Sequence, residues 1–218
     1  MGVETRISSL PRPLRSPVRL VLRALTLAHR VRYRGRLVCG KDVVVLGGLR
    51  IEQGTRLVLG DRVRVRRGVV VNGGGEVVVG SDTLLNGCWI GAVTRVEVGQ
   101  RCLLSDCSIT DSDYHELDPA RRHLPPGPRT RSPVVIEDNV WIGAQAWVLK
   151  GSRIGRDSVV SAVSVVRGAV PPAVVVLGNP AEVVKHLRPA TPAPPLEAWA
   201  SRSAAEHGPP TANGQGAG

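Results

Sequence analysis

Residues 111–119 read DSDYHELDP, four carboxylates (Asp111, Asp113, Glu116 and Asp118) gathered around one imidazole, His115. An imidazole titrates near neutral pH and can take the proton of an alcohol during nucleophilic attack, a contribution of roughly 10²–10⁴-fold. A neighbouring carboxylate can fix its tautomer and stabilise the imidazolium that forms. Asp113 is the candidate for that orienting role. The other acids are expected to face solvent, because crowded carboxylates raise a histidine pKa and a base that is already protonated is useless. A metal site is the rival reading, with Asp111, Asp113, His115 and His123 as available ligands, and a solvated loop is the third. The choice depends on the elements that hold the stretch.

At 218 residues the chain is long enough for one large domain with its own core. It has no Phe, and its apolar content is mostly Val, Leu, Ile and Ala. Such uniform side chains suit a core built of identical stacked layers. The formal net charge of +11 is uneven: residues 1–36 hold nine arginines and one acid, Glu4, so the rest of the chain is close to neutral. The basicity belongs to an arm, and neither zinc-finger spacing nor an RNA-recognition aromatic motif accompanies it, so no nucleic-acid partner is expected. Cys39, Cys88, Cys102 and Cys107 form no CxxC pair and read as reduced thiols of a cytoplasmic protein. Arg23 interrupts LVLRALTLA, the one candidate apolar core of a signal peptide. No apolar run approaches the roughly 20 residues of a membrane span.

The dominant period is six. In 134–171, VVIEDNVWIGAQAWVLKGSRIGRDSVVSAVSVVRGAVP, aliphatic residues fall at 136, 142, 148, 154, 160 and 166, and four positions after each comes a small or short one. A helix repeats at 3.6 and a plain strand at 2, so a period of six means short strands joined by tight corners in a solenoid. LGDRV, VGSDT and VGQRC repeat the pattern from Leu59, Val79 and Val98. Starts about three sixes apart imply a triangular coil. The rhythm stops between Thr110 and Val134, and a solenoid places such a polar, Pro-rich insert as a loop leaving one corner. His115 stands at its start, on a rigid base.

These repeats resemble the hexapeptide-repeat acyltransferases, and most closely the bacterial O-acetyltransferases acting on sugars. VVIEDNVWIGAQAWVLKGSRIG, SAVSVV, VPP and GNPAEVVK follow one another in the family's order, and the likeness covers about residues 37–188. The resemblance implies an all-β fold, a left-handed parallel β-helix, in a homotrimer. It implies acetyl-CoA as co-substrate, lying between two solenoids, and no metal. Zinc carbonic anhydrases of this fold use three converging histidines, whereas here His29 and His207 lie toward the ends and only His115 and His123 share a plausible level.

Residue by residue, the resemblance makes His115, preceded by Ile109, Asp111 and Asp113, the general base toward an acceptor hydroxyl of a sugar or cell-surface glycan precursor. Trp141 matches the tryptophan bordering the acceptor. Ala144 and Ala162 match the small residues that let the pantetheine arm approach the backbone, with the N–H near Ala144 as oxyanion donor. Lys185 keeps a basic position toward the CoA phosphates, and Arg167 is a second candidate because Glu182 stands where relatives often carry a base. An acceptor-holding asparagine would fall at Leu85, and Asn86, one residue on, is the candidate to replace it. A non-catalytic scaffold and an N-acetyltransferase acting on an amino sugar are the alternatives.

At the N-terminus, residues 1–36 form a basic arm with helical features. Arg15, Arg19, Arg23 and Arg30 lie on one side and leucines occupy much of the rest. Such a helix caps the open end of the solenoid or rests on anionic lipid at the inner face of a membrane. The solenoid domain is expected over 37–188 with a loop insertion at 111–134. Residues 189–218, rich in Pro, Ala and Gly, read as a disordered tail.

Overall fold

The structure, a computed structural model, describes residues 12–188; the expected tail lies outside the described residues. From Leu37 to Leu177 the chain winds into a three-sided parallel β-solenoid. The first side stacks Leu37–Cys39, Arg56–Leu59, Glu76–Val79, Arg95–Val98, Val134–Ile136, Arg153–Ile154 and Ala169–Val170 in that order. The second side runs from Val44–Val45 to Val174–Leu177, and the third from Leu49–Ile51 to Val165–Val166. The last strand, Glu182–His186, folds back antiparallel on Val174–Leu177 and covers the final edge.

The six-residue rhythm is the register of these sides. Leu59 pairs with Val79, Val79 with Val98, Val98 with Ile136, and Ile136 with Ile154. Aliphatic residues of one phase therefore stack into a continuous buried column. The small residues four positions on are also buried, and where they are polar they bond to corner backbone. Thr83 Oγ1 donates to the Gly99 carbonyl (2.9 Å) and accepts from Cys102 N–H (3.0 Å). Ser158 does the same between Pro171 (2.8 Å) and Val174 (3.2 Å). Each buried Val or Ile contributes about 1.5–3 kcal/mol, and a column of constant cross-section has no place for a bulky ring.

Where the first side turns into the second, successive corners touch. A Cβ on Gly60 would lie 2.7 Å from Ser81 N, and one on Gly80 would lie 2.5 Å from Gln100 N, so no side chain fits there. Two residues later Arg62, Asp82, Arg101, Asn139 and Asp157 all take positive φ, giving each coil the same tight bend. Cys102 is core, as its repeat position requires, and burial pushes its thiol up to about 11. All four cysteines are free.

The helix Arg12–Arg32 (α1) caps the first coil. Its buried face is Leu22, Thr26 and, just past its end, Tyr33. Thr26 Oγ1 accepts from Val45 N–H (3.1 Å) and donates to the Leu22 carbonyl (3.0 Å), while Tyr33 donates its hydroxyl to the Leu49 carbonyl (2.9 Å). These side chains satisfy backbone groups of an open solenoid end.

Candidate active site

The insert leaves the corner between the third and first sides after Ser108–Thr110 and rejoins at Val134–Ile136. Its neck is closed by an antiparallel bridge between Ser112 and Arg131, with Ser132 N–H donating to Asp111 O (2.8 Å) and Asp113 N–H to Thr130 O (2.8 Å). Inside the neck the Asp111 carboxylate is fully buried and accepts three backbone N–H groups, from Val93 (2.8 Å), Thr94 (2.7 Å) and Arg95 (2.7 Å). It ties the insert to the corner of the coil before it.

The expectation that most of the acids face solvent is therefore corrected. Asp113 pairs with the Lys150 ammonium, which also donates to the Arg129 carbonyl (2.9 Å). Glu116 accepts from Gly127 N–H (2.7 Å). Asp118 alone is exposed, and it bonds locally to Ala120 N–H (2.9 Å). The carboxylates answer the unpaired N–H groups and the lysine that an irregular loop brings with it. Asp113, expected to orient His115, has Lys150 as its observed partner.

His115 is exposed, and among the described residues no hydrogen bond holds its imidazole. It follows Tyr114, whose backbone is left-handed (φ 63°) and whose ring packs against Trp89. Gly91 makes room for this contact, since a Cβ there would fall 2.0 Å from the Tyr114 hydroxyl oxygen. Trp89 also packs against Trp147 (ring centroids 6.2 Å apart), and the two lie in register on the third side through Ser108. This aromatic group beside the histidine loop was not anticipated. The signal was in the register, because Trp89, Ser108 and Trp147 hold equivalent places in successive coils.

The other candidates sit on the second side and its far corner. Trp141 is half exposed there, in register with Val159, which pairs with Val175, the partner of Lys185. Ala144 and Ala162 occupy the corner between the second and third sides, one coil apart and both exposed. Val163 N–H donates to Ala144 O (2.9 Å), and a Cβ on Gly143 would lie 2.8 Å from Ala162 N. Among the described residues, neither the Ala144 nor the Ala162 N–H has a backbone partner. Leu85 is core and Asn86 faces outward at the end of its strand, as the alternation of a strand requires. Arg167 is exposed at the corner shared by the third and first sides, the edge of His115, and not with the alanines. Within one chain the two edges are one solenoid side apart, about five residues or roughly 16 Å. Among the described residues no group of three His, Cys, Asp or Glu side chains is placed to hold a metal ion. Backbone N–H groups and Lys150 already occupy Asp111 and Asp113.

No family model matches the chain. A Mycobacterium tuberculosis protein named as an acetyltransferase, Rv3034c, is 33% identical over 159 residues, 70% of this chain and 51% of that protein. An Escherichia coli protein named for lipopolysaccharide biosynthesis O-acetyl transfer, WbbJ, is 38% identical over 103 residues, 44% of this chain and 53% of that protein. In sequence the chain is thus similar to proteins named as acetyltransferases, and its own fold is a three-sided parallel β-solenoid. A solved hexapeptide-repeat acetyltransferase from Vibrio cholerae, complexed with acetyl-CoA, shares the fold with TM-score 0.52 and 24% identity, over 83% of this chain and 80% of that one. The chain spans about half the length of these two curated relatives, and a quarter of others it matches. In this hexapeptide-repeat chain the helix α1 and the 111–133 loop are additions to the bare solenoid, one at its end and one at a corner.

Proposed function

We propose that the chain is an acetyl-CoA-dependent O-acetyltransferase acting on a hydroxyl of a sugar or cell-surface glycan precursor, with His115 as general base. The observation that carries this reading is the stacking of two exposed alanines, Ala144 and Ala162, on one edge near Trp141, with backbone N–H groups that have no backbone partner among the described residues. An extended amide chain such as pantetheine is recognised by such a row, because its carbonyls accept where no side chain intervenes. Lys185, in the same register column as Trp141, supplies charge toward the phosphates, and Arg167 is a second cation.

His115 takes the proton of the acceptor hydroxyl as that oxygen attacks the thioester carbonyl. The negative charge developing on the carbonyl oxygen is met by the Ala144 N–H. The imidazolium then returns its proton to the departing thiolate, so the cycle is closed without net proton uptake. Asp113 acts at one remove, holding the loop through Lys150. Trp141 and Asn86 border the acceptor.

His115 and the alanine edge stand a solenoid side apart, so one chain offers half a site. Closed threefold symmetry brings the histidine corner of one copy to the alanine edge of the next, three times over. The homotrimer is part of the proposal, as is a cytoplasmic site of reaction, where acetyl-CoA is available.

The test is thermal unfolding of the intact chain with and without acetyl-CoA, together with acetyl transfer to a panel of sugars and amino sugars. Ligand at 100 times its Kd adds about 2.7 kcal/mol to the native state. A shift kept in His115→Ala, with transfer reduced by roughly 10²–10⁴-fold, is the expected result. No shift at millimolar acetyl-CoA would favour a non-catalytic scaffold. Transfer confined to amines would favour the N-acetyltransferase reading.

A further inference from the structure

The cap helix α1 uses only one of its faces on the solenoid. Leu22, Thr26 and Tyr33, at spacings of four and seven, point into the first coil. On the opposite face Leu20 is 69% exposed, Leu27 57% and Val31 70%, with Val21 and Leu25 beside them also exposed. At 100° per residue these five span one continuous apolar stripe. Exposed Arg23 and Arg30 run along one border of the stripe, and exposed Arg32 stands within it, between Val21 and Leu25. A helix needed only to cap a solenoid would carry polar residues on its solvent face. This one carries a second apolar face, edged by cations.

We infer that this outer face of α1 is a docking surface for an anionic lipid bilayer, on which the end of the solenoid rests. Charge chooses the occupant. Residues 1–36 carry nine arginines against one glutamate. A second copy of the same helix laid on this face would bring like charges together. An anionic bilayer instead offers hydrocarbon to the leucines and phosphates to the arginines, whose stems reach outward from the apolar border. Of the acids facing the helix from the coil, Asp42 lies 3.9 Å from Arg23 in a solvent-exposed pair, which leaves that guanidinium free to exchange partners. Among the described residues no helix is long and apolar enough to cross a membrane, so the contact is one of lying on the surface. The inference is independent of the proposed chemistry, and it stands or falls without His115.

The intact chain is to be sedimented with vesicles of phosphatidylcholine alone and of three parts phosphatidylcholine to one part phosphatidylglycerol. Two double variants accompany it, Leu20→Ser with Val31→Ser, and Arg23→Glu with Arg30→Glu. All four positions are exposed, so unchanged thermal unfolding verifies the fold of each. The expected result is preferential binding to the anionic vesicles, weakened by salt and reduced at least tenfold in both variants. Equal binding by the wild type and both variants would overturn the inference, as would no binding to either vesicle. A loss of assembly mass in the Leu20→Ser/Val31→Ser variant, seen by sedimentation velocity without vesicles, would assign the face to a second copy instead.

Discussion

The Lys150 ammonium joins the two ends of the catalytic-loop candidate, pairing with the Asp113 carboxylate on its outgoing strand and donating to the Arg129 carbonyl on its return. Lys150 comes from the next coil, so the wall of the solenoid clamps the loop that emerges from it. This relationship gives the acid beside His115 a structural reason to be an acid. It also implies that loop order and the position of His115 are coupled.

Replacing Lys150 by Met should therefore loosen the loop more than the fold. A hydrogen bond to a charged group contributes about 1.5–3 kcal/mol, less where solvent reaches the pair. Trypsin cleavage at Arg121, Arg122 and Arg129 should accelerate severalfold, while the midpoint of global unfolding changes little. Identical digestion of variant and wild type would show that the clamp does not order the loop.

Asp111 has a larger effect. Substitution by Ala would leave three corner N–H groups, of Val93, Thr94 and Arg95, without their acceptor in a buried neck. A cost of about 3 kcal/mol is expected from the stranded donors. Urea unfolding of Asp111→Ala measures it; a change below about 0.5 kcal/mol would mean water replaces the carboxylate.

Val163 is a β-branched residue held at φ 63° on the Ala144–Ala162 edge, and its side chain is two-thirds exposed. The left-handed conformation costs such a residue about 1–2 kcal/mol, and its exposure means little packing would be lost. Val163→Asn should raise the melting temperature by about 2–4 °C. If acetyl transfer falls at the same time, the strained valine is held there by the substrate or by a neighbouring copy. A lower melting temperature would show that its packing outweighs its strain.

Acid should remove one surface contribution in a defined direction. Arg62 grips Asp82 through Nε (2.7 Å) and Nη2 (2.6 Å), and this hydrogen-bonded pair holds the Asp82 carboxyl below its ordinary range. A depressed folded-state value stabilises the protein above the unfolded value, near 4, and the gain disappears as pH falls through the folded value. Asp82→Asn should cost less than about 1 kcal/mol at pH 7. Wild type and variant should converge in urea titrations once pH has fallen through the folded value. A gap that persists there would assign the effect to something other than the ion pair.

The period of six was legible without coordinates because each coil repeats the same steric problem: an aliphatic residue inward, a small one at the next buried place, a glycine where corners touch. Ile136, Ile142 and Ile154 declare their burial by spacing alone, and the loop declares itself by breaking that spacing. The same local logic put His115 at the start of the insert and Cys102 in the core. What only the tertiary structure decided was pairing across coils. Asp113 meets a lysine 37 residues away, Trp89 meets Trp147 and Tyr114, and Asn86 rather than Leu85 points outward. Which part of α1 is spent on the cap was decided there too, since leucines occupy much of the helix away from its arginine side. A repeat records what each residue must do within its own turn; which charges and rings become neighbours depends on where the chain stands when it comes round again.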